Sequence, residues 1–217
     1  MRTTAIAFPS GKLSLEGVIS LPQDATGTVG ALLMSHPHPM LGGNMHDQVV
    51  AAVCRAATGM GFAALRFNFR GVGQSEGEFD DGTGEQDDVK AALEVLRRWP
   101  GVDRKRVAVA GYSFGASVVL NGLKSYKTAR SLVLIAPPIS AVRGSAVRRD
   151  KRLKLFVAGQ LDRLVPSIGL QRALDDMGPA ARFAEVPGAD HSFQGHERSV
   201  AETVASFVAE TSGTRSR

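Results

Sequence analysis

Cysteine is nearly absent from this sequence, which has one, Cys54, among 217 residues. A single cysteine forms no internal disulfide, and this is typical of proteins in a reducing compartment. Long apolar runs are lacking too: none has the length of a membrane span, and the apolar stretch after Arg2 is too short for a signal-peptide core. We therefore expect a soluble, cytoplasmic protein, with Cys54 buried and unreactive in the apolar segment 49–57.

Acidic residues are slightly too few to balance the basic ones, so the formal net charge is +5. Much of the excess precedes a predicted strand and lies on Arg148, Arg149, Lys151, Arg152 and Lys154. A solvated loop with a charged edge is the favoured interpretation of this cluster, and a basic rim that attracts acidic substrates is the alternative. Aromatic residues are not interleaved with the basic ones, so nothing supports nucleic-acid binding.

Internal repeats and low-complexity linkers are also lacking, and the length suits one sizeable core. Residues 4–8 and 12–21 alternate in polarity around a turn of Pro, Ser and Gly, which predicts an antiparallel hairpin. Strands are then predicted at residues 29–35, 62–69, 106–110, 132–136, 155–158 and 183–186, and helices at 47–58, 85–98, 116–123, 166–177 and 197–210. This alternation predicts an α/β fold with a mostly parallel sheet and helices on both faces. We expect one domain over residues 1–217, with a frayed tail at 211–217.

A serine stands between two glycines directly after a predicted strand. The segment G-Y-S-F-G, residues 111–115, follows the strand 106–110 and precedes the helix 116–123. At a strand-to-helix turn this G-x-S-x-G pattern holds the serine in a strained, exposed conformation. Ser113 is therefore the candidate nucleophile, and a serine that merely caps the helix is the alternative.

A serine hydroxyl needs a base to take its proton. His191 lies in the loop after the strand 183–186, and the loops after the carboxyl ends of parallel strands meet at one edge of a sheet. Ser113 emerges at the same edge. We therefore predict His191 as the base, with His196 as the fallback.

The base needs a carboxylate that fixes its tautomer. Asp162 follows the strand 155–158 at the same sheet edge, and the order Ser, Asp, His along the chain is the one expected for such a sheet. Asp190 is adjacent to His191 in sequence, but neighbouring side chains point apart. Asp162 is therefore the predicted partner.

Catalysis at an acyl carbonyl also needs N–H groups that face the developing oxyanion. The Phe114 N–H, directly after the nucleophile, is one predicted donor. The other is expected in the segment S-H-P-H-P-M after the strand 29–35. Proline has no N–H, so His38 and Met40 remain, and His38 is favoured.

Two segments resemble cofactor motifs without meeting their requirements. His36 and His38 lie close in sequence, but no acidic or cysteine ligands stand nearby at useful spacing. The glycine-rich stretch that begins at Arg70 lacks the third glycine of a dinucleotide fingerprint, and its helix begins too late. We predict neither a metal nor a cofactor, and a structural turn beside the active site for the glycine-rich stretch.

Four blocks together resemble one superfamily: S-H-P-H-P-M-L-G-G from Ser35, L-R-F-N-F-R-G-V-G-Q-S-E-G from Leu65, G-Y-S-F-G from Gly111, and the pair G-Q-L-D and G-A-D-H-S-F. The chain resembles the α/β-hydrolase superfamily, particularly its small, lid-free bacterial members that are similar to serine esterases and dienelactone hydrolases. The resemblance implies a sheet of about seven or eight strands, no cap domain, and hydrolysis of carboxylic esters without a cofactor.

The segment 137–154, where relatives often carry a lid, leaves room for one short helix at most. This predicts an open, shallow site that favours small or short-chain esters, bound as free small molecules. Thioesters, peptides and dienelactones remain alternative substrates, since one fold hosts many chemistries. A non-catalytic binding scaffold is the alternative from another class, and both a monomer and a homodimer remain open.

Overall fold

The computed structural model describes residues 1–23 and 26–213, and its backbone is built around one sheet. The strands are β1 (Arg2–Ser10), β2 (Leu13–Leu21), β3 (Val29–Ser35), β4 (Ala63–Phe67), β5 (Val102–Tyr112), β6 (Ser131–Ile135), β7 (Leu153–Gly159) and β8 (Ala181–Val186). They lie in the order β1-β2-β4-β3-β5-β6-β7-β8. β1 pairs antiparallel with β2, and β2 with β4, whereas all other neighbours are parallel. The predicted hairpin and the mostly parallel sheet are confirmed.

Six α-helices flank this sheet in the described part of the chain: α1 (Gln48–Gly59), α2 (Glu85–Arg98), α3 (Phe114–Asn121), α4 (Ile139–Gly144), α5 (Ser167–Leu174) and α6 (Glu197–Gly213). They cover both faces of the sheet. Both faces need cover, because successive residues of a strand point to opposite faces and are apolar on both. In β3, Leu33 packs in the apolar layer that includes α2, α3 and α5, while Leu32 packs in the layer that includes α1 and α6. Cys54 of α1 is buried as expected, and burial raises its pKa to about 12.

Helix α2 has the bounds that its sequence predicts, because three local signals agree. Val89, Leu93 and Leu96 recur at helical spacing and are buried against the sheet. Acidic residues occupy the first turn and basic residues the last, which complements the helix dipole.

The connection between β6 and β7 is short. It holds α4 and a single 3₁₀ turn, Ala146–Arg149. Neither is long enough to form a cap over the sheet, so the fold has no cap domain, as the resemblance implies.

The basic cluster before β7 differs from its favoured interpretation as a solvated loop. Arg148, Arg149 and Lys151 are exposed, but Lys154 is buried and donates to the Asp150 carbonyl across 2.7 Å. Burial lowers the pKa of this lysine, with Asp150 opposing the shift. Arg152 pairs with the Asp150 carboxylate and donates to two backbone carbonyls in the loop after α3.

The position of the cluster also excludes a rim around the predicted active site. Lys154 and Arg152 lie at the amino end of β7, whereas Ser113 follows the carboxyl end of β5. Because these strands are part of one parallel array, the two ends are opposite edges of the sheet. Arg152 and Lys154 therefore lie at the edge away from Ser113, where their bonds to Asp150 and to the loop after α3 stabilise the fold.

The carboxyl-terminal helix is longer than the sequence indicates. α6 continues to Gly213, and the frayed tail was expected from residue 211. Thr211 is buried, its hydroxyl donates to the Phe207 carbonyl across 2.9 Å, and it lies 3.1 Å from Ser131 Oγ. The rest of the predicted tail, residues 214–217, lies outside the described residues. Among the helices that are described, none combines the length and apolarity of a membrane crossing.

Candidate active site

Ser113 lies at a sharp turn between β5 and α3. Its backbone has φ 53° and ψ −109°, a conformation that costs a non-glycine residue free energy and that clusters at functional sites. Glycine is required on either side: a Cβ atom at Gly111 would lie 2.3 Å from the Gly115 carbonyl oxygen, and one at Gly115 would lie 2.6 Å from that of His36. The Ser113 side chain makes no capping hydrogen bond to α3, so the alternative of a helix-capping serine is wrong.

The structure brings Ser113, His191 and Asp162 together in one chain of hydrogen bonds. The Ser113 Oγ lies 2.9 Å from His191 Nε2, and His191 Nδ1 lies 2.8 Å from Asp162 Oδ2. The Asp162 carboxylate is buried, and its other oxygen accepts from the N–H groups of Leu164 and Val165, each at 2.8 Å. This buried acceptor places the imidazole proton on Nδ1, which leaves Nε2 free to accept the serine proton.

The alternative partners are engaged elsewhere. The Asp190 carboxylate accepts from the N–H and hydroxyl of Ser192, at 2.9 and 2.7 Å, and these bonds lower its pKa. His196 Nδ1 lies 3.3 Å from the Gln194 carbonyl oxygen. Sequence reasoning assigns no role to the hydroxyl of Tyr112, which donates to the His191 carbonyl across 2.7 Å and so fixes the loop that carries His191.

The predicted oxyanion donors differ in their availability. The Met40 N–H donates to His38 Nδ1 across 3.2 Å, so it is already in use. Within the described residues, the N–H groups of His38 and Phe114 have no hydrogen-bond acceptor, as is usual for the first residue of a helix such as Phe114. Both residues line the same cleft as Ser113.

His36 holds the segment that presents His38. Its ring is buried, the Phe69 N–H donates to Nε2 across 3.1 Å, and Nδ1 donates to the Pro37 carbonyl across 2.7 Å. Burial lowers the pKa of His36 to about 4, although the bond to Pro37 opposes the shift. The Pro37 carbonyl and the His38 N–H belong to one peptide, and the two groups of a trans peptide point in opposite directions. The hydrogen bond from His36 to the Pro37 carbonyl therefore turns the His38 N–H away from His36. Nothing in the sequence distinguishes this buried histidine from an exposed loop histidine.

The glycine-rich stretch contributes packing to the same segment. The Phe79 ring lies 5.2 Å from the His38 ring and 5.5 Å from the Phe114 ring, centroid to centroid. The His38 and Phe114 rings are themselves 4.9 Å apart. These three rings hold the loops after β3, β4 and β5 together beside Ser113, which agrees with the predicted structural turn.

The cleft above Ser113 has a volume of about 460 Å³ and is open to solvent. His191, Phe114 and Pro138 are among its walls, and Asp47 is also part of the lining. One Asp47 oxygen caps α1 through the N–H groups of Val49 and Val50. Among the described residues, no three metal-ligating side chains lie close enough to hold an ion.

The segment that holds these groups matches a known family. Residues 38–199 match the Hydrolase_4 family, described as serine aminopeptidase S33, and this range includes Ser113, Asp162 and His191. The chain belongs to this family. Its membership confirms the resemblance to the α/β-hydrolase superfamily.

Solved structures described as an α/β serine hydrolase and as a homologue of such hydrolases share the fold of this Hydrolase_4 chain. Protein XC6422 of Xanthomonas campestris, described as an α/β serine hydrolase without a lid, is 29% identical with a TM-score of 0.85, and the alignment covers 100% of this chain and 98% of that one. An α/β serine hydrolase homologue from Coxiella burnetii is also 29% identical, with a TM-score of 0.80 over 95% of this chain and 98% of that one.

Curated relatives match over shorter stretches. The uncharacterized protein RP471 of Rickettsia prowazekii is 36% identical over 110 residues, which is 51% of this chain and 46% of that protein. The chain spans between 46% and 60% of the length of the curated relatives that it matches.

Proposed function

We propose that this protein hydrolyses small carboxylic esters through an acyl-enzyme formed on Ser113. The observation that carries the proposal is the chain of hydrogen bonds from the Ser113 hydroxyl through His191 to the buried carboxylate of Asp162. A strained serine, a base and an orienting carboxylate, in that order, are the parts that activate a hydroxyl as a nucleophile.

The first half of the reaction transfers the acyl group to the enzyme. The Ser113 Oγ attacks the ester carbonyl carbon, and its proton moves to His191 Nε2. Asp162 stabilises the imidazolium that forms and holds its orientation. When the tetrahedral intermediate collapses, the bond from carbon to the alcohol oxygen breaks, and His191 returns the proton to the leaving alcohol.

The second half repeats the sequence with water. His191 takes a proton from water, the resulting hydroxide attacks the acyl carbon, and the carboxylic acid leaves as the proton returns to Ser113 Oγ. In both halves the negative charge on the carbonyl oxygen is stabilised by the N–H groups of Phe114 and His38, which have no acceptor inside the described structure. His36 is a positioning residue in this proposal, since it orients the peptide that carries the His38 N–H.

The open cleft supports small substrates. Its volume of about 460 Å³ and the short connection between β6 and β7 leave the acyl site without a cover. A long lipid chain would therefore remain mostly in water, and the proposed substrates are small or short-chain esters. The proposed mechanism uses neither a metal nor an organic cofactor.

A second candidate function is an aminopeptidase, since the family is described by that activity. Asp47 lines the cleft, and a carboxylate is the group that binds the ammonium of a peptide's first residue. Hydrolysis of L-amino acid p-nitroanilides would test it. If this function holds, Asp47→Asn, which keeps the helix cap, lowers kcat/KM for these anilides and leaves p-nitrophenyl acetate hydrolysis unchanged.

The proposed function is tested by covalent labelling. The intact protein is treated with a fluorophosphonate and weighed by mass spectrometry, and hydrolysis of p-nitrophenyl butyrate is measured in parallel. We expect one adduct and ester turnover in the wild type, and neither in Ser113→Ala. Ser117→Ala is the matched control, because Ser117 lines the same cleft and should leave labelling intact.

Two results would overturn the proposal. A folded wild-type protein that takes no label would contain no activated serine, and the binding scaffold would replace the enzyme as the preferred function. A label that persists in Ser113→Ala would place the nucleophile elsewhere.

A further inference from the structure

Exposed large apolar side chains are concentrated in two segments of the chain. Seven such side chains are exposed in the described part of the chain, and five of them lie in the segments 40–41 and 161–168, each of which contributes one leucine to the cleft that holds Ser113. These five are Met40 (70% exposed), Leu41 (85%), Leu161 (59%), Leu164 (75%) and Ile168 (61%). We refer to these five residues as the apolar collar.

The collar is built on the same loops that present the reacting groups. Leu41 follows His38 by three residues in the loop after β3, and Leu164 follows Asp162 by two residues in the loop after β7. Leu41 and Leu164 line the cleft that holds Ser113 and His191. Leu161 and Leu164 also line an adjoining depression of about 1080 Å³ that includes His191.

The fold does not explain why these side chains are apolar. Leucines that are three-quarters exposed contribute little to the core, and single exposed leucines are common and need no function. The grouping of three of them, Leu41, Leu161 and Leu164, along two adjoining depressions is different, because exposed apolar patches mark surfaces that bind apolar groups. Two of them also share the cleft with the serine hydroxyl, so a bound ester would contact them directly.

We propose that the collar binds an apolar substituent of the ester, chiefly through Leu41 and Leu164. This inference rests on the proposed function and names its substrate class. Esters that carry an apolar group of several carbons are better substrates than esters in which the same group is a single methyl. Each methylene group that leaves water against the two leucines raises kcat/KM by about two- to fourfold. The gain ends once the chain extends beyond the collar.

The experiment compares chain-length series in the full-length protein. One series is p-nitrophenyl acetate through octanoate, which varies the acyl side, and the other is methyl through hexyl acetate, which varies the alcohol side. The variants are Leu41→Ser, Leu164→Ser and both together, all at exposed positions. Met60→Ser is the control, since Met60 is 49% exposed at the carboxyl end of α1, away from the cleft.

We expect kcat/KM in the wild type to rise with chain length in one of the two series, and this series identifies the side of the ester that the collar contacts. In the double variant the rise in kcat/KM with chain length should flatten. We expect kcat/KM to fall at least tenfold for p-nitrophenyl hexanoate or hexyl acetate, and less than twofold for the shortest ester of the same series, p-nitrophenyl acetate or methyl acetate. Met60→Ser should retain the wild-type slope. Fluorophosphonate labelling at Ser113 should still go to completion in all variants, because the substitutions leave Ser113 and His191 in place.

The outcomes separate this inference from the proposed function. If Ser113 is labelled but neither series depends on chain length, the collar proposal is wrong and the hydrolase stands. An equal loss at every chain length in the double variant would also overturn it. If Ser113 takes no label, the proposed function itself fails.

Discussion

The Phe69 N–H donates a hydrogen bond to His36 Nε2 across 3.1 Å, and this contact sets the protonation state of the ring. A nitrogen that accepts carries no proton, so the proton of the neutral ring is on Nδ1, where it is donated to the Pro37 carbonyl. Protonation of Nε2 would break the bond to Phe69 and place a charge in a buried site. Only in its neutral form does His36 link the loop after β3 to the loop after β4 through these two hydrogen bonds.

Acid should therefore destabilise the protein through His36. Its pKa in the fold is about 4, below the ordinary value of 6.5, so between these values the unfolded chain binds more protons than the folded one. The contribution of His36 to the free energy of unfolding is complete above pH 6.5. It falls by about 3 kcal/mol as the pH decreases toward 4. Urea unfolding at several pH values should show the loss, and it should be smaller in His36→Asn.

The NMR titration of the wild type provides an independent check on this prediction. The ring protons of His36 should keep their neutral chemical shifts down to about pH 5. A His36 midpoint near 6.5 would contradict the assignment of a neutral buried ring.

The sequence was sufficient to predict which residues meet at Ser113, and the reason is topological. Ser113, Asp162 and His191 each follow a parallel strand, and the carboxyl ends of such strands lie at one edge. The period of each strand and helix is local, so no distant contact is needed to place these three. The bounds of α2 could be predicted for the same reason.

Contacts between distant segments could not be predicted in this way. His36 and Phe69 are 33 residues apart, and Arg152 reaches carbonyls 26 and 29 residues away. No periodicity or spacing encodes such pairs. From the sequence alone, His36 therefore offers only the possibility of a metal ligand, and Arg152 is expected in a solvated loop. Thr211 illustrates the same point, since its partner Ser131 is 80 residues away.

Replacing Ser113 by glycine should stabilise the protein while abolishing activity. The φ of 53° at Ser113 is strained for any residue with a Cβ atom, and glycine relieves the strain. We expect Ser113→Gly to unfold with a free energy about 1 kcal/mol higher than that of Ser113→Ala, and both to lack ester hydrolysis. Thermal or urea unfolding of the pair measures this difference.

The same change at Ser117 provides the opposite control. Ser117 lies inside α3, where glycine costs conformational entropy. Ser117→Gly should therefore have a free energy of unfolding about 0.5 kcal/mol below that of the wild type. Equal stability of the glycine and alanine variants at position 113 would show that the elbow stores no strain.

Asp162→Asn should reduce catalysis far more than it reduces stability. An asparagine oxygen can still accept from the Leu164 and Val165 N–H groups, but its amide nitrogen would face His191 Nδ1 and favour the wrong tautomer. In a comparable triad the same substitution lowers kcat by about 10⁴, and we expect a loss of about 10³ to 10⁴ here. Steady-state hydrolysis of p-nitrophenyl butyrate measures it.

Asp190→Asn is the matched control for this variant. Asp190 is adjacent to the base in sequence, but its carboxylate is bonded to Ser192, so its replacement should change kcat by less than about threefold. Comparable losses in both variants would mean that a general negative charge near His191 matters rather than the bond to Asp162.

Gly115→Ala should damage stability and catalysis together, because this glycine sets the distance between the two predicted oxyanion donors. A Cβ atom there would lie 2.6 Å from the His36 carbonyl oxygen and 2.8 Å from that of Ser35, both backbone atoms that cannot move alone. The elbow and the loop after β3 would have to separate, and the N–H groups of Phe114 and His38 would separate with them. We expect a loss of about 2 kcal/mol or more in unfolding free energy, and a fall in kcat of about 10² or more in the protein that remains folded.

Gly144→Ala, at the end of α4 with no atom within 4 Å of the added methyl group, should leave kcat unchanged and stability equal or slightly higher. If Gly115→Ala unfolded easily but retained full kcat in its folded fraction, the close approach of the two loops would serve packing alone, and the oxyanion would have to be stabilised by other donors.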